Sequence, residues 1–164
     1  MINISLPDGS IKQVPKGTSA LDIAKSISEG LARNILSASI NKEIWDVNRP
    51  ITSDCSLKLH TFNDIEGKKC FWHSSAHIMA EALEELYPGV KLGIGPAIDN
   101  GFYYDIDLGD ERKLSSDDFP KIEDEMRKII ATGSHLKKTL RSKKEAIQLF
   151  ESENESYKIQ IIEE

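Results

Sequence analysis

His73 and His77 are the side chains in this sequence best suited by type and spacing to do chemistry. They stand four apart in FWHSSAHIMAEALEELYP, residues 71–88. At roughly 100° per residue, the pattern predicts a helix over 71–87. Trp72, Ala76, Met79, Leu83 and Leu86 fall on one stripe, with Glu81, Glu84 and Glu85 largely opposite. The two imidazoles then sit one turn apart at the border between these faces. Such a border is where a helix lines a cleft, and a half-desolvated imidazole there suits proton transfer or metal binding. Taken alone, HxxxH more often marks two helix-border histidines without chemistry. A zinc site needs further ligands, and only Cys55, Cys70, His60 and His135 remain to offer them. No complete ligand set emerges, so no metal is assigned.

The segment after this helix supplies what could face the histidines. Pro88-Gly89 ends the helix. Residues 90–98 are extended, and Gly93 and Gly95 permit close approach of a backbone or a ligand. Neither GxGxxG nor GxxxxGK[ST] is present, so this is not a phosphate-cradling loop. Asp99-Asn100-Gly101 predicts a hairpin turn, with Asn-Gly suited to type I′. A returning strand over 102–107 puts Phe102, Tyr104 and Ile106 on one face and Tyr103, Asp105 and Asp107 on the other. The second, polar set either borders the histidine cleft or faces solvent.

The elements that must hold these residues lie in a chain of 164 residues, long enough for one large or two small domains. An apolar fraction of 39% with 29% charged residues is ordinary for a globular chain. No run is long enough to span a bilayer and no signal peptide is present. Two well-separated cysteines without a secretory signal point to a reduced, cytoplasmic protein. The net charge of −6 is uneven. Residues 1–62 hold seven Lys and Arg against six Asp and Glu, and the remainder fourteen against twenty-one. An acidic chain does not advertise nucleic-acid binding, so any RNA contact must use a local patch or a larger assembly.

Residues 1–62 predict a small, mostly β unit. Ile2, Ile4 and Leu6 alternate with polar residues, Pro7-Asp8-Gly9-Ser10 turns, and Ile11–Val14 returns. Thr18 or Ser19 caps a helix over 20–28, which Glu29-Gly30 closes. Strands follow at 36–40 and 43–47 around an Asn41-Lys42 turn, and another at 57–60. This is the order of a β-grasp domain. Residues 63–70 form a polar linker. Beyond the 102–107 strand, a helix runs from about Phe119 to Ala131, a short strand from His135 to Leu140, a helix from Lys143 to Glu151 and a strand from Tyr157 to Ile162. The last strand has no following cover, which predicts a domain that continues. The fold class is α+β: a β-grasp unit followed by a partial α+β domain over 71–164.

HSSAHIMAEALEELYP followed by KLGIGPAIDNGFYYDID resembles the editing domain of threonyl-tRNA synthetases, and the opening ISLPDGS resembles their TGS domain. The resemblance covers essentially the whole chain in the family's order. It implies a threonine–tRNA ligase whose N-terminal region hydrolyses mischarged seryl-tRNA(Thr). One missing methyl is worth only about 1–3 kcal/mol, too little for the synthetic site to reject serine. His73 and His77 match the family's first histidine pair and are implied to position water or transfer protons in editing. Tyr104 and Asp105 match its GFYYD segment and are implied to line the substrate pocket. A Cys/His segment further along completes the family's cleft, so these residues would be half of it. The resemblance further implies ATP with Mg²⁺, and a Zn²⁺ in the family's catalytic core, none with a complete site in this chain. It also implies tRNA(Thr) as partner, no membrane, a homodimer for the full-length enzyme and a monomer for this portion. Ligase activity is not expected of the 164 residues alone. A free-standing trans-editing deacylase, or a TGS-type RNA- or partner-binding module without catalysis, are the alternatives.

Overall fold

Ile2 and Ile4 are buried while Asn3 and Ser5 are exposed, and this alternation turns one face of β1 (Ile2–Ser5) into the core of the first of two units. The structure is a computed structural model describing residues 1–109, 112–134 and 139–163. It divides into Met1–Trp72 and His73–Glu164, with the division falling inside one helix.

In the first unit β1 pairs antiparallel with β2 (Ile11–Val14). The turn between them is tied by the Asp8 carboxylate, which accepts from the Ser10 N–H at 2.9 Å and its hydroxyl at 2.6 Å. Helix α1 (Ala20–Ile27) is capped by Ser19, whose hydroxyl accepts from the Asp22 N–H, with Asp22 reaching back in a capping box. Strands β3 (Ile35–Ile40) and β4 (Glu43–Trp45) form a hairpin, and β5 (Cys55–Thr61) completes a five-stranded sheet of order β2-β1-β5-β3-β4. Asn41 and Lys42 have φ of 49° and 73°, the two positive values a type I′ turn needs. β1 and β5 run parallel, and the other neighbours run antiparallel. Ile4, Ile23, Ala38 and Leu57 anchor the core between sheet and α1. This is the β-grasp order expected from the sequence.

Two local expectations are corrected. The chain does not stop being helical at Glu29-Gly30. A second helix, α2 (Glu29–Asn34), follows α1 after a single residue, because the Ser28 hydroxyl accepts from the Leu31 N–H at 3.0 Å and starts a new turn. The long helix α3 spans Ile65–Leu86, so most of the stretch 63–70 expected as a linker is its first turns. Asp64 initiates it, its carboxylate accepting from the Thr61 N–H at 2.9 Å. Gly67 is there for closeness and not for flexibility. A Cβ on it would lie 1.9 Å from the Thr61 carbonyl oxygen.

The second unit takes the rest of α3 and packs Ala80, Leu83 and Tyr87 against Leu92 and Ile122. β6 (Lys91–Leu92) pairs with β9 (Ile106–Asp107), and β7 (Ala97–Ile98) with β8 (Gly101–Phe102). The expected single strand over 102–107 is therefore broken, with Tyr103, Tyr104 and Asp105 between two short strands. Asp99 and Asn100 make the β7–β8 turn without positive φ, so it is not type I′. Helix α4 (Phe119–Thr132) stops at Gly133 in the left-handed region, and α5 (Lys143–Ser152) is capped by Ser142 in a capping box with Glu145. Of the strand expected over 135–140, residues 135–138 lie outside the described residues, and Thr139 and Leu140 are not in a strand.

The strand expected at Tyr157–Ile162 is instead helix α6 (Ser156–Glu163). Its β-branched isoleucines favour a strand locally, but among the described residues no strand pairs with it. Glu155, Lys158, Ile159 and Ile162 are half-buried at spacings of three and four, and that helical period wins over the residue types. No described helix is long and apolar enough to cross a membrane.

Candidate functional site

Because α3 is a regular helix, His73 and His77 lie one turn apart on it, and their Nε2 atoms are 3.1 Å from each other. The rings meet edge to face with centroids 4.6 Å apart. A hydrogen bond at this distance needs one Nε2–H and one bare Nε2, so the tautomers of the two rings are coupled. Burial, then the charge on His73, then that on Lys158 push the His77 imidazole below its ordinary value of 6.5. His77 is thereby held neutral near pH 7, with a lone pair available to accept a proton.

Both histidines line a cavity of about 270 Å³ together with Ala76, the 93–96 segment and Tyr104. The glycines shape that wall. A Cβ on Gly95 would lie 2.3 Å from the Tyr104 ring, and one on Gly93 would lie 3.0 Å from the Asp105 Cβ. The Gly93 N–H donates to the Asp105 carbonyl at 2.9 Å, which fixes the segment against its neighbour. Burial is the main cause that raises the Tyr104 phenol; Lys158 opposes it, and Glu84 and Glu155 add to it. Tyr104 therefore keeps its proton at neutral pH and can donate it in a hydrogen bond.

Three of the four residues singled out from the sequence thus line one cavity: His73, His77 and Tyr104. Asp105 is exposed, is not on the cavity wall, and contributes through its backbone. Nor does the polar set Tyr103, Asp105 and Asp107 border the cavity. Tyr103 is exposed, and the wall is built by Tyr104 from the other set. Of the two alternatives left open for the polar set, exposure to solvent holds for Tyr103 and Asp105, and residues 103–105 lie outside any strand.

Lys158 was not singled out from the sequence. It is the nearby cation whose charge acts on His77, Tyr104 and Glu84 alike, and it is held by Glu155 at 3.2 Å. Burial raises the Glu84 carboxyl, against the pull of Lys158. Reading 157–162 as a strand hides Lys158, whereas the Glu155–Lys158 pair at helical spacing is the signal that reveals it. Among the described residues no group of three or more His, Cys, Asp or Glu converges as a metal site. Cys55 sits in the first core, and the Cys70 thiol donates to the Leu36 carbonyl at 3.2 Å.

The family model for the TGS domain matches residues 2–61. Residues 2–61 are a TGS domain. Over its whole length the chain matches the N-terminal portion of threonine–tRNA ligases. The enzyme of Cytophaga hutchinsonii is 54% identical over 164 residues, covering 99% of this chain and 25% of the relative. That of Parabacteroides distasonis is 50% identical over 164 residues, covering 100% of this chain and 25% of the relative. That of Flavobacterium psychrophilum is 51% identical over 162 residues, covering 99% and 24%. The chain spans about a quarter of the length of these relatives. The TGS assignment agrees with the β-grasp sheet, and the fold is α+β.

Proposed function

We propose that this chain is the editing-side portion of a threonine–tRNA ligase and that its histidine cavity takes part in hydrolysing seryl-tRNA(Thr). The observation that carries this reading is the His73–His77 pair, 3.1 Å apart, lining a 270 Å³ cavity together with the 93–96 segment and Tyr104. Ester hydrolysis needs a water placed by an acceptor, a proton-transfer group and donors for the developing oxyanion. In this reading neutral His77 accepts from the water, and His73 fixes its tautomer through the shared hydrogen bond. The Tyr104 hydroxyl on the cavity wall is the candidate donor, and the charge of Lys158 acts on both His77 and Tyr104. The family resemblance implies that a Cys/His segment completes the cleft, and that ATP, Mg²⁺ and Zn²⁺ belong to the part of the relatives this chain does not cover. It also implies tRNA(Thr) as partner, a homodimeric full-length enzyme and a cytoplasmic setting.

The test is hydrolysis of seryl-tRNA(Thr) by the full-length protein with His73→Ala or His77→Ala. We expect a fall of about 10²–10⁴-fold, the range for removing a proton-transfer group, with threonylation retained. Hydrolysis at the unaltered rate in both variants would overturn the reading. Efficient hydrolysis by the 164-residue chain alone would replace it with a free-standing deacylase.

A further inference from the structure

Helix α6 has little of its own to hold it. It is eight residues long, and Ile159, Ile161 and Ile162 are β-branched, so it lacks both the length and the residue types at which a helix stands alone. Its main neighbour is α5. Yet its start carries the Glu155–Lys158 ion pair, 3.2 Å apart. Burial is the largest influence on the His77 and Tyr104 side chains, but Lys158 acts on both and Glu155 acts on Tyr104. The pair therefore stands near the histidine cavity without lining it.

Tyr157 is placed to set where α6 begins. Its hydroxyl donates to the Asp107 carboxylate at 3.2 Å, and Lys91 Nζ lies 5.8 Å from the centre of its ring, within cation–π reach. Lys91 and Asp107 are register partners across β6 and β9. The other Asp107 oxygen accepts from the Gly109 N–H at 2.8 Å, so the carboxylate is itself fixed. The bond from Gly109, and then that from Tyr157, hold Asp107 below the ordinary carboxylate range, which keeps it an ionised acceptor at neutral pH. The same ladder runs on into the cavity. Past Leu92 and Ile106, the Gly93 N–H donates to the Asp105 carbonyl, and Tyr104 is next along the chain. Successive residues of a helix point about 100° apart. With Tyr157 fixed on the ladder, the rotation of α6 is set, and with it the direction of Lys158.

We infer that Tyr157 is a positioning residue for the histidine cavity: its hydrogen bond to Asp107 docks α6 on the β6–β9 ladder and so sets the Lys158–Glu155 pair beside His77 and Tyr104. The docking stands on its own, and its consequence for hydrolysis rests on the editing reading.

The test uses Tyr157→Phe, which keeps the ring and removes the donor, and has two readouts. The first is the NMR titration of His77 in the 164-residue chain. Lys158→Met should raise the midpoint by removing a like charge. Tyr157→Phe should raise it too, and adding Tyr157→Phe to Lys158→Met should change nothing further. Asp107→Ala should act in the same direction. Loss of a carboxylate charge by itself lowers a histidine midpoint, so a rise there reports a displaced Lys158. The second readout is hydrolysis of seryl-tRNA(Thr) by the full-length protein. Tyr157→Phe should lower kcat about three- to tenfold, the worth of one hydrogen bond, with KM and threonylation unchanged. A His77 midpoint that Tyr157→Phe leaves in place, or moves equally when Lys158 is already replaced, overturns the docking. Hydrolysis unaltered in Tyr157→Phe, where His73→Ala or His77→Ala abolishes it, overturns the positioning role. If those histidine variants hydrolyse at the full rate, the editing reading fails instead, and the midpoint alone decides the docking.

Discussion

At the scale of single residues, the histidine pair owes its behaviour to three causes that rank clearly. Burial of His77 comes first, the charge on His73 second and that on Lys158 third, and all three disfavour its imidazolium. The folded value lies below the ordinary 6.5, so the folded chain binds the proton less readily than the unfolded one. Any stability linked to His77 is therefore fully present above about pH 6.5 and is lost as the pH falls below it. We expect its NMR titration midpoint in the 164-residue chain to lie below 6.5. His73→Asn should raise it by removing the like charge, and Lys158→Met should raise it by a smaller step. A midpoint at or above 6.5, or one that neither substitution moves, would contradict this ordering. His73 and His77 were visible in the sequence because four-residue spacing on a helix is a local property. Lys158 was not, since its nearness to the pair depends on where α6 packs, which no local pattern states.

At the scale of elements, punctuation by side chains was readable and close backbone approach was not. Ser19, Ser142 and the Asn41-Lys42 turn act where residue type predicts they should, since a cap or a turn is decided within four residues. Gly67 is the contrary case. In sequence it marks a linker, yet in α3 it is the point where the helix presses on the Thr61 carbonyl. Two effects oppose each other in Gly67→Ala. Alanine gains about 1 kcal/mol of helix propensity. Against this stands a Cβ placed 1.9 Å from a backbone oxygen, which has no flexible end to yield. Overpacking of this kind costs about 1–3 kcal/mol, occasionally more, so the clash should win. Urea unfolding followed through the TGS domain should show a net loss of stability. Gly30→Ala in α2 is the control, because its nearest neighbour would be the Ser28 hydroxyl at 3.9 Å, and it should be neutral or stabilising. Equal stability for Gly67→Ala and the unaltered chain would show that α3 can shift away from Thr61 without cost.

At the scale of the whole molecule, the two units were not equally readable, and the reason lies in how each closes its core. The first is built from strands of three to seven residues, long enough for alternation to show in β1 and along most of β5, and bounded by turns and caps that residue type reveals. The second uses strands of two residues, too short for any period to show; α4 and α5 were legible from their own residues, but α6, rich in isoleucine, was not. The first core draws its buried residues from Ile2 to Leu57, with Leu6, Trp45 and Leu59 packed on it, all inside the first unit. A chain of residues 1–72 therefore contains every residue of that core and the α3 turns that carry Gly67 and Cys70. Such a small domain has a narrow margin, since roughly 60% of its surface is buried on folding. Its sheet nonetheless has all five strands and its helices their own caps. We expect residues 1–72 to fold alone, with dispersed amide signals matching those of the 164-residue chain and a single cooperative urea transition. A disordered spectrum would show that the TGS core depends on residues beyond Trp72, and would place the boundary of folding cooperativity further along α3 than its packing indicates.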